Sequence, residues 1–139
     1  STVRDTIVHM GKGSRLLVEE RLLTHGDQTA ESNIDVHLDG DGSSARIISR
    51  SVAKDDSKQE FKPVAVGNAD CRAHIQCDSI IMDRSSVRSI PAIEANHPDA
   101  QIVHEAAIGR INNDQLVKLE TLGLSEEEAE QVIIGAFLE

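Results

Sequence analysis

Short turn-forming clusters recur along this chain at nearly even intervals, and that spacing limits the folds open to it. They are GKGS (Gly11–Ser14), HGDQ (His25–Gln28), DGDGSS (Asp39–Ser44), KDDS (Lys54–Ser57), GNAD (Gly67–Asp70), DRSS (Asp83–Ser86) and NHPD (Asn96–Asp99). Counted from Gly11, His25, Asp41, Lys54, Gly67, Asp83 and Asn96, each step is about 13–16 residues, and a regular step is the mark of a repeating architecture. Between the clusters lie runs of strand length with alternating or dense apolar residues: Arg15–Leu23, Ile34–Leu38, Ala45–Val52, Phe61–Val66, Cys71–Met82, Val87–Ala95 and Ala100–Ile108. Evenly spaced strands with polar turns predict a sandwich, a barrel or a solenoid. Two steps make a coil of about 27–30 residues, which suits a two-sheet β-helix, but periodicity alone leaves solenoid and sandwich balanced.

With 139 residues the chain can build one modest core. Its net charge of −10 would repel phosphate backbones and argues against non-specific nucleic-acid binding. Phe61 and Phe137 are the only aromatic residues, too few to stack on bases or sugars. No apolar run approaches the roughly 20 residues of a membrane span, and none reads as a signal peptide. The chain begins with Ser1 rather than Met, which suggests a piece of a longer protein. Cys71 and Cys77 on one extended segment would stand roughly 20 Å apart, too far for a disulfide. Free thiols predict a reducing compartment, hence the cytoplasm.

From Asn112 onward the chain changes texture. Asn112 is a predicted N-cap with Gln115 as capping-box partner and Asp114 in the first turn. That helix should run to about Thr121 and stop at Gly123. Ser125 opens a second helix with Glu128 at the box position and an apolar stripe of Ala129, Val132, Ile133, Ala136 and Phe137. The short loop makes a helical hairpin. This divides the chain into a β part over 1–111 and a helical part over 112–139. Asp114, Glu120, Glu126, Glu127, Glu128 and Glu130 give the hairpin an acidic face, which reads either as solvated surface or as a docking site for a basic partner.

The chemistry candidates follow from strand parity, since residues two apart share a face. Cys71, Ala73, Ile75 and Cys77 should point inward, with Arg72, His74, Gln76 and Asp78 outward. By residue type Cys77 is a core position that a small hydrophobe could fill. Further on, Ala100, Ile102, His104, Ala106 and Ile108 should face inward. A stacking offset of 27 would set Cys77 directly on His104, about 4.8 Å away along the stack. A thiol beside an imidazole makes a soft metal site. Two ligands cannot hold an iron–sulfur cluster, which usually takes four, but they could be half of a site completed by another subunit. His9, His25, His37, His74 and His97 lack metal-ligand spacing. There is no P-loop, nucleophile elbow or dinucleotide fingerprint, and a β-helix carbohydrate enzyme would want aromatic platforms that are missing here.

Three runs, QCDSIIM (Gln76–Met82), PAIEANHPDAQIVHEAAIGRI (Pro91–Ile111) and NDQLVKLETLGLSEEEAEQVIIGAF (Asn113–Phe137), resemble in order the C-terminal part of the SufB/SufD iron–sulfur cluster assembly proteins. The likeness covers about Arg72 to Phe137 and extends in texture to Gly11–Gly67. It implies a right-handed parallel β-helix followed by helices, which favours the solenoid. It also implies a scaffold subunit that is not itself an enzyme. The partners implied are the ABC-type ATPase SufC, docked on the C-terminal helices, and a SufB- or SufD-type paralogue or a second copy, paired through the last coils. The resemblance places transient cluster ligands on Cys77 and Glu105, as in SufB-like members, and on His104, as in SufD-like members. Here all three occur together, while the cysteine-rich N-terminal motif of many SufB proteins is absent. The alternative within the family is a SufD-like interaction subunit that holds no metal. Parity sets Glu105 on the face opposite Cys77 and His104. The residues expected to meet the ATPase are Asp114, Leu116, Leu119, Leu124, Glu128, Val132 and Phe137. The open edge of Ala100–Ile108 predicts self-pairing into a homodimer.

Overall fold

The computed structural model describes all 139 residues. Nine strands precede two helices: β1 (Thr2–Met10), β2 (Arg15–Thr24), β3 (Thr29–Leu38), β4 (Ser43–Ala53), β5 (Lys58–Gly67), β6 (Cys71–Ile81), β7 (Ser86–Ser89), β8 (Ala92–Ala95), β9 (Gln101–Gly109), α1 (Asn113–Thr121) and α2 (Glu126–Leu138). Successive strands alternate between two parallel sheets. Sheet A runs β1-β3-β5 and ends on β7 and β8 together; sheet B runs β2-β4-β6-β9. Each strand pairs with the one a coil earlier: Ala30 stands on Thr2, Ser44 on Arg15, Lys58 on Thr29, Arg72 on Ser44 and Gln101 on Arg72. The chain is therefore a parallel β-solenoid followed by two helices, as the turn spacing and the family likeness together predicted.

The turn clusters stack into corners. At one corner Gly26, Asp55 and Asp83 all adopt left-handed backbone, with φ of 58°, 57° and 56°, a conformation that Gly allows freely and Asp tolerates better than most residues. The aspartates tie coil to coil: Gly26 N–H donates to Asp55 Oδ2 at 2.8 Å, and Asp55 N–H to Asp83 Oδ2 at 3.1 Å. At the opposite corner the Asn68 amide donates to Asp39 and the Asn96 amide to Asn68. Gly40 sits there against the backbone of Gly11 and Lys12, with no room for a Cβ.

The core lies between the sheets. Leu38, Val36, Ile47 and Ile75 are fully or almost fully buried, each contributing roughly 1.5–3 kcal/mol of hydrophobic stabilisation. The inward rows of sheet B change character along the strands. Leu16/Ala45/Ala73/Ile102 and Val18/Ile47/Ile75/His104 begin apolar, whereas Glu20/Ser49/Cys77/Ala106 and Leu22/Ser51/Ser79/Ile108 carry the polar groups.

The structure departs from the sequence expectations at five points. β1 was not among the predicted strands, yet it pairs with β3 along its whole length. The run Val87–Ala95 is two strands, because Pro91 lacks the N–H needed to continue the ladder. The offset between β6 and β9 is 29, not 27: Cys77 pairs with Ala106, and His104 with Ile75. Asn112 caps α1 by accepting from Asp114 N–H with no reciprocal bond from Gln115, whereas the Ser125–Glu128 capping box is complete. On α2 the buried residues are Ala129 and Ile134. Val132 and Ala136, assigned to the inner stripe, are exposed, because the helix packs on β4 through a face rotated away from them.

Candidate functional site

The predicted site residues fall on the last two coils, Cys77 on β6 and His104 and Glu105 on β9, and divide between two faces of sheet B. Cys77 points inward and is 1% exposed. Its Sγ lies 3.7 Å from the Ser79 hydroxyl on the same strand. Across the interior, Ser89 on β7 faces both the thiol and His104, with Ser89 Oγ 3.5 Å from His104 Nε2. The correction in register keeps parity, so His104 does face inward as predicted. It sits diagonally to Cys77 rather than beside it, at roughly 7–8 Å between Cα atoms by sheet geometry. The hydroxyl of Ser89, which sequence reasoning did not single out, links the two.

Glu105 faces outward. It pairs in register with Gln76, and its carboxylate lies 3.6 Å from His74 Nε2 with a side chain 64% exposed. The conflict seen in parity is therefore real: no bulge turns Glu105 into the interior. Nowhere do three His, Cys, Asp or Glu side chains come together in a way that could hold a metal ion.

Burial sets the electrostatics of the thiol. It pushes the Cys77 pKa above its ordinary value; hydrogen bonds from Ser79 and Ser89 oppose this, and the charges of Asp78 and Glu20 reinforce it. Desolvation is the leading cause because an anion in an apolar interior loses its water. At neutral pH Cys77 is thus a thiol, and it becomes a ligand or nucleophile only when a metal displaces its proton or the end of the coil opens. Cys71, also buried and unpaired, is raised for the same leading reason.

Cys77 belongs to a longer buried polar seam. Glu20, nearly enclosed, accepts from Ser32 at 2.6 Å and from Ser49 at 3.4 Å. Ser51 and Ser79 share a hydrogen bond, and Gln59 donates to Thr24 and to the Val52 carbonyl. These hydroxyls were legible in principle, since Ser49 and Ser51 carry the inward parity of Ala45 and Ile47.

The helices leave a second feature. An apolar cleft opens between α1, α2 and Ile80, walled by Leu119, Leu122, Val132 and Phe137 with Lys118 at its rim. Of the expected docking residues, Leu119, Val132 and Phe137 line it. Leu116 and Leu124 are half-buried outside it, and Asp114 and Glu128 are exposed in the first turns of their helices. No helix is long and apolar enough to cross a membrane.

The comparisons with known proteins bear on this arrangement. Residues 1–137 match the family model for the core domain of SufBD, of the SUF system for iron–sulfur cluster assembly. The chain belongs to the SufBD core family. It is 32% identical over 130 residues to an iron–sulfur cluster assembly SufBD family protein of Methanothermobacter thermautotrophicus, covering 92% of this chain and 32% of that protein. It is 31% identical over 135 residues to one of Pyrococcus horikoshii, covering 96% and 41%. Against the iron–sulfur cluster assembly protein SufB of Bacillus subtilis it is 32% identical over 108 residues, covering 75% and 23%. The chain thus spans about a third to two fifths of the first two relatives. The family likeness seen in the three C-terminal runs extends through the first coils as well.

Proposed function

We propose that this SufBD core chain is a scaffold for iron–sulfur cluster assembly, not an enzyme, and that it works in the cytoplasm with a SufC-type ATPase. The observation that carries the reading is the placement of Cys77, one strand in from the uncovered edge of a solenoid of this family, with Ser89 and His104 of the last coil close to it. The donor set there is incomplete, so a second surface must supply what one chain lacks. Iron and sulfide are the cargo. Cys77 is the thiolate donor once deprotonated, Ser89 holds the thiol and imidazole in one neighbourhood, and His104 offers a nitrogen ligand from the adjacent strand. Glu105 reaches a cluster only around the edge of β9, which suits a site shared across a subunit pair. The apolar cleft between α1 and α2 is the proposed ATPase surface.

A second reading is favoured by two observations: the buried, protonated character of Cys77 and the outward turn of Glu105. In it the chain is a SufD-like subunit that positions partners and holds no metal. Anaerobic reconstitution of the complex with iron and sulfide separates the two. Cys77→Ala is expected to abolish the cluster's visible absorption, and Glu105→Gln to weaken it. An unchanged cluster yield in Cys77→Ala sinks the scaffold reading and leaves the positioning one.

A further inference from the structure

A group of cations stands on the outer face of sheet B, at the ends of the strands away from α2. Arg15, Ser44, Arg72 and Gln101 occupy one register row across β2, β4, β6 and β9. Leu17, Arg46, His74 and Val103 occupy the next outward row along the strands. Together they line a shallow cleft floored by Ala45 and Ala73. The arginines are exposed, yet none makes an ion pair or a side-chain hydrogen bond, whereas Arg4, Arg21, Arg84 and Arg88 each face a carboxylate. In a protein of net charge −10, three neighbouring guanidinium groups without a carboxylate run against the average field. His74 adds a further sign of incompleteness. Its Nε2 is screened from solvent and has no hydrogen bond, with the Glu105 carboxylate 3.6 Å away. A buried polar atom left unpaired is costly and is usually satisfied by something.

The placement of the stems indicates what fits. Arg15 and Arg72 lie two strands apart, about 9.6 Å, and Arg46 springs from the strand between them, about 6.6 Å further along. These three points form a triangle around one cleft, not a line. A line of cations would suit an extended acidic peptide; a triangle lets planar, fork-shaped donors converge on a single compact anion. The Ser44 hydroxyl and the His74 ring, which line the same cleft, add hydrogen-bonding groups of the kind that bind oxyanions.

We infer that Arg15, Arg46 and Arg72 form a binding site for a phosphate-type dianion, either free or carried as a monoester. The site is separate from the Cys77 side of the sheet, and its occupancy does not depend on a cluster. The test is titration of the 139-residue chain with inorganic phosphate and, in parallel, with phosphoserine, followed by phosphorus NMR and calorimetry at low ionic strength. Saturable binding in the submillimolar range is expected. Arg46→Gln and Arg72→Gln should each weaken it at least tenfold with the circular dichroism unchanged. Arg50→Gln, whose guanidinium is already held by the Glu139 carbonyl, and Cys77→Ser should leave it as it was. Similar affinities for the two probes assign the free ion, and a preference of tenfold or more for phosphoserine assigns the ester. No saturable binding of either probe, or equal binding by wild type and a folded Arg46→Gln/Arg72→Gln double variant, overturns the site.

Discussion

β6 and β9 are neighbours in one sheet, with the same inward alternation of apolar and small residues, yet they live in different environments. Along β6 every inward position from Cys71 to Ser79 is buried; along β9 Ile102 and His104 are half-buried and Ala106 and Ile108 exposed. β6 has a strand on each side, and β9 has one only on the side of β6. The difference comes from position in the stack and not from residue choice. A strand written for burial but left at an edge is suited to being covered by a further element, and His104 and Glu105, the proposed site residues, lie on that strand.

The largest effect should fall on the covered side. Ile75→Ala in β6 is expected to cost about 2–5 kcal/mol, and Ile108→Ala in β9 under about 1 kcal/mol, measured by urea denaturation of the monomer. Equal costs would break the contrast. If copies pair through β9, the Ile108→Ala penalty should grow with protein concentration, and light scattering that finds only monomer at high concentration would count against that pairing. Next come the corner glycines. Gly40→Ala drives a Cβ into the backbone of the preceding coil and should cost about 1–3 kcal/mol, while Gly11→Ala, at the matching corner with open space around it, should lie within about 0.5 kcal/mol of wild type. Then the caps: Ser125→Ala, which dismantles a reciprocal box, should cost α2 about 1 kcal/mol, and Asn112→Ala, which removes a single bond from α1, about half that. The smallest effect concerns pH. Cys71 and Cys77 in β6 both have raised pKa values because burial disfavours their anions. Below the thiol's ordinary pKa, near 9, folded and unfolded chains are both protonated and the groups contribute no pH dependence. Above it the unfolded chain releases protons that the folded one retains, so stability should fall as pH rises past about 9. Cys77→Ala should flatten that decline in a thermal melt series, and a Cys77→Ala series as steep as wild type would place the thiol nearer to water than burial allows.

Much of the fold could be read from the turns. Gly67 and Asn96 open corners one coil apart, and their separation already contained the register of β6 on β9. The offset of 27 set aside that corner spacing, and so placed His104 two positions too far along. Parity survived because both offsets are odd, and parity carried the facing of Cys77, His104 and Glu105 correctly. β1 does not read as a strand because its alternation is spoiled by charge: Arg4 and Asp5 make sense only beside Glu20 and Asn33 on other strands. Ser89 could not be recognised for a related reason. A serine in a strand is ordinary until the opposite sheet brings a thiol and an imidazole to it, and that meeting is a property of two strands far apart in sequence. The buried face of α2 is only partly legible because helical periodicity fixes a stripe to within one position, and packing on β4 decides which side of it is covered.

The constant coil length has a consequence for how the chain acquires its structure. Every strand meets its partner one coil away, so no pairing requires closure of a loop longer than a single coil. The entropic cost of adding a coil is then nearly the same at each step, and order can spread from a formed coil to the next as in other stacked repeats. A chain assembled this way should close its terminal coil last and open it first. The end that carries β9 can therefore exchange with solvent, or with a partner, while the middle coils stay intact.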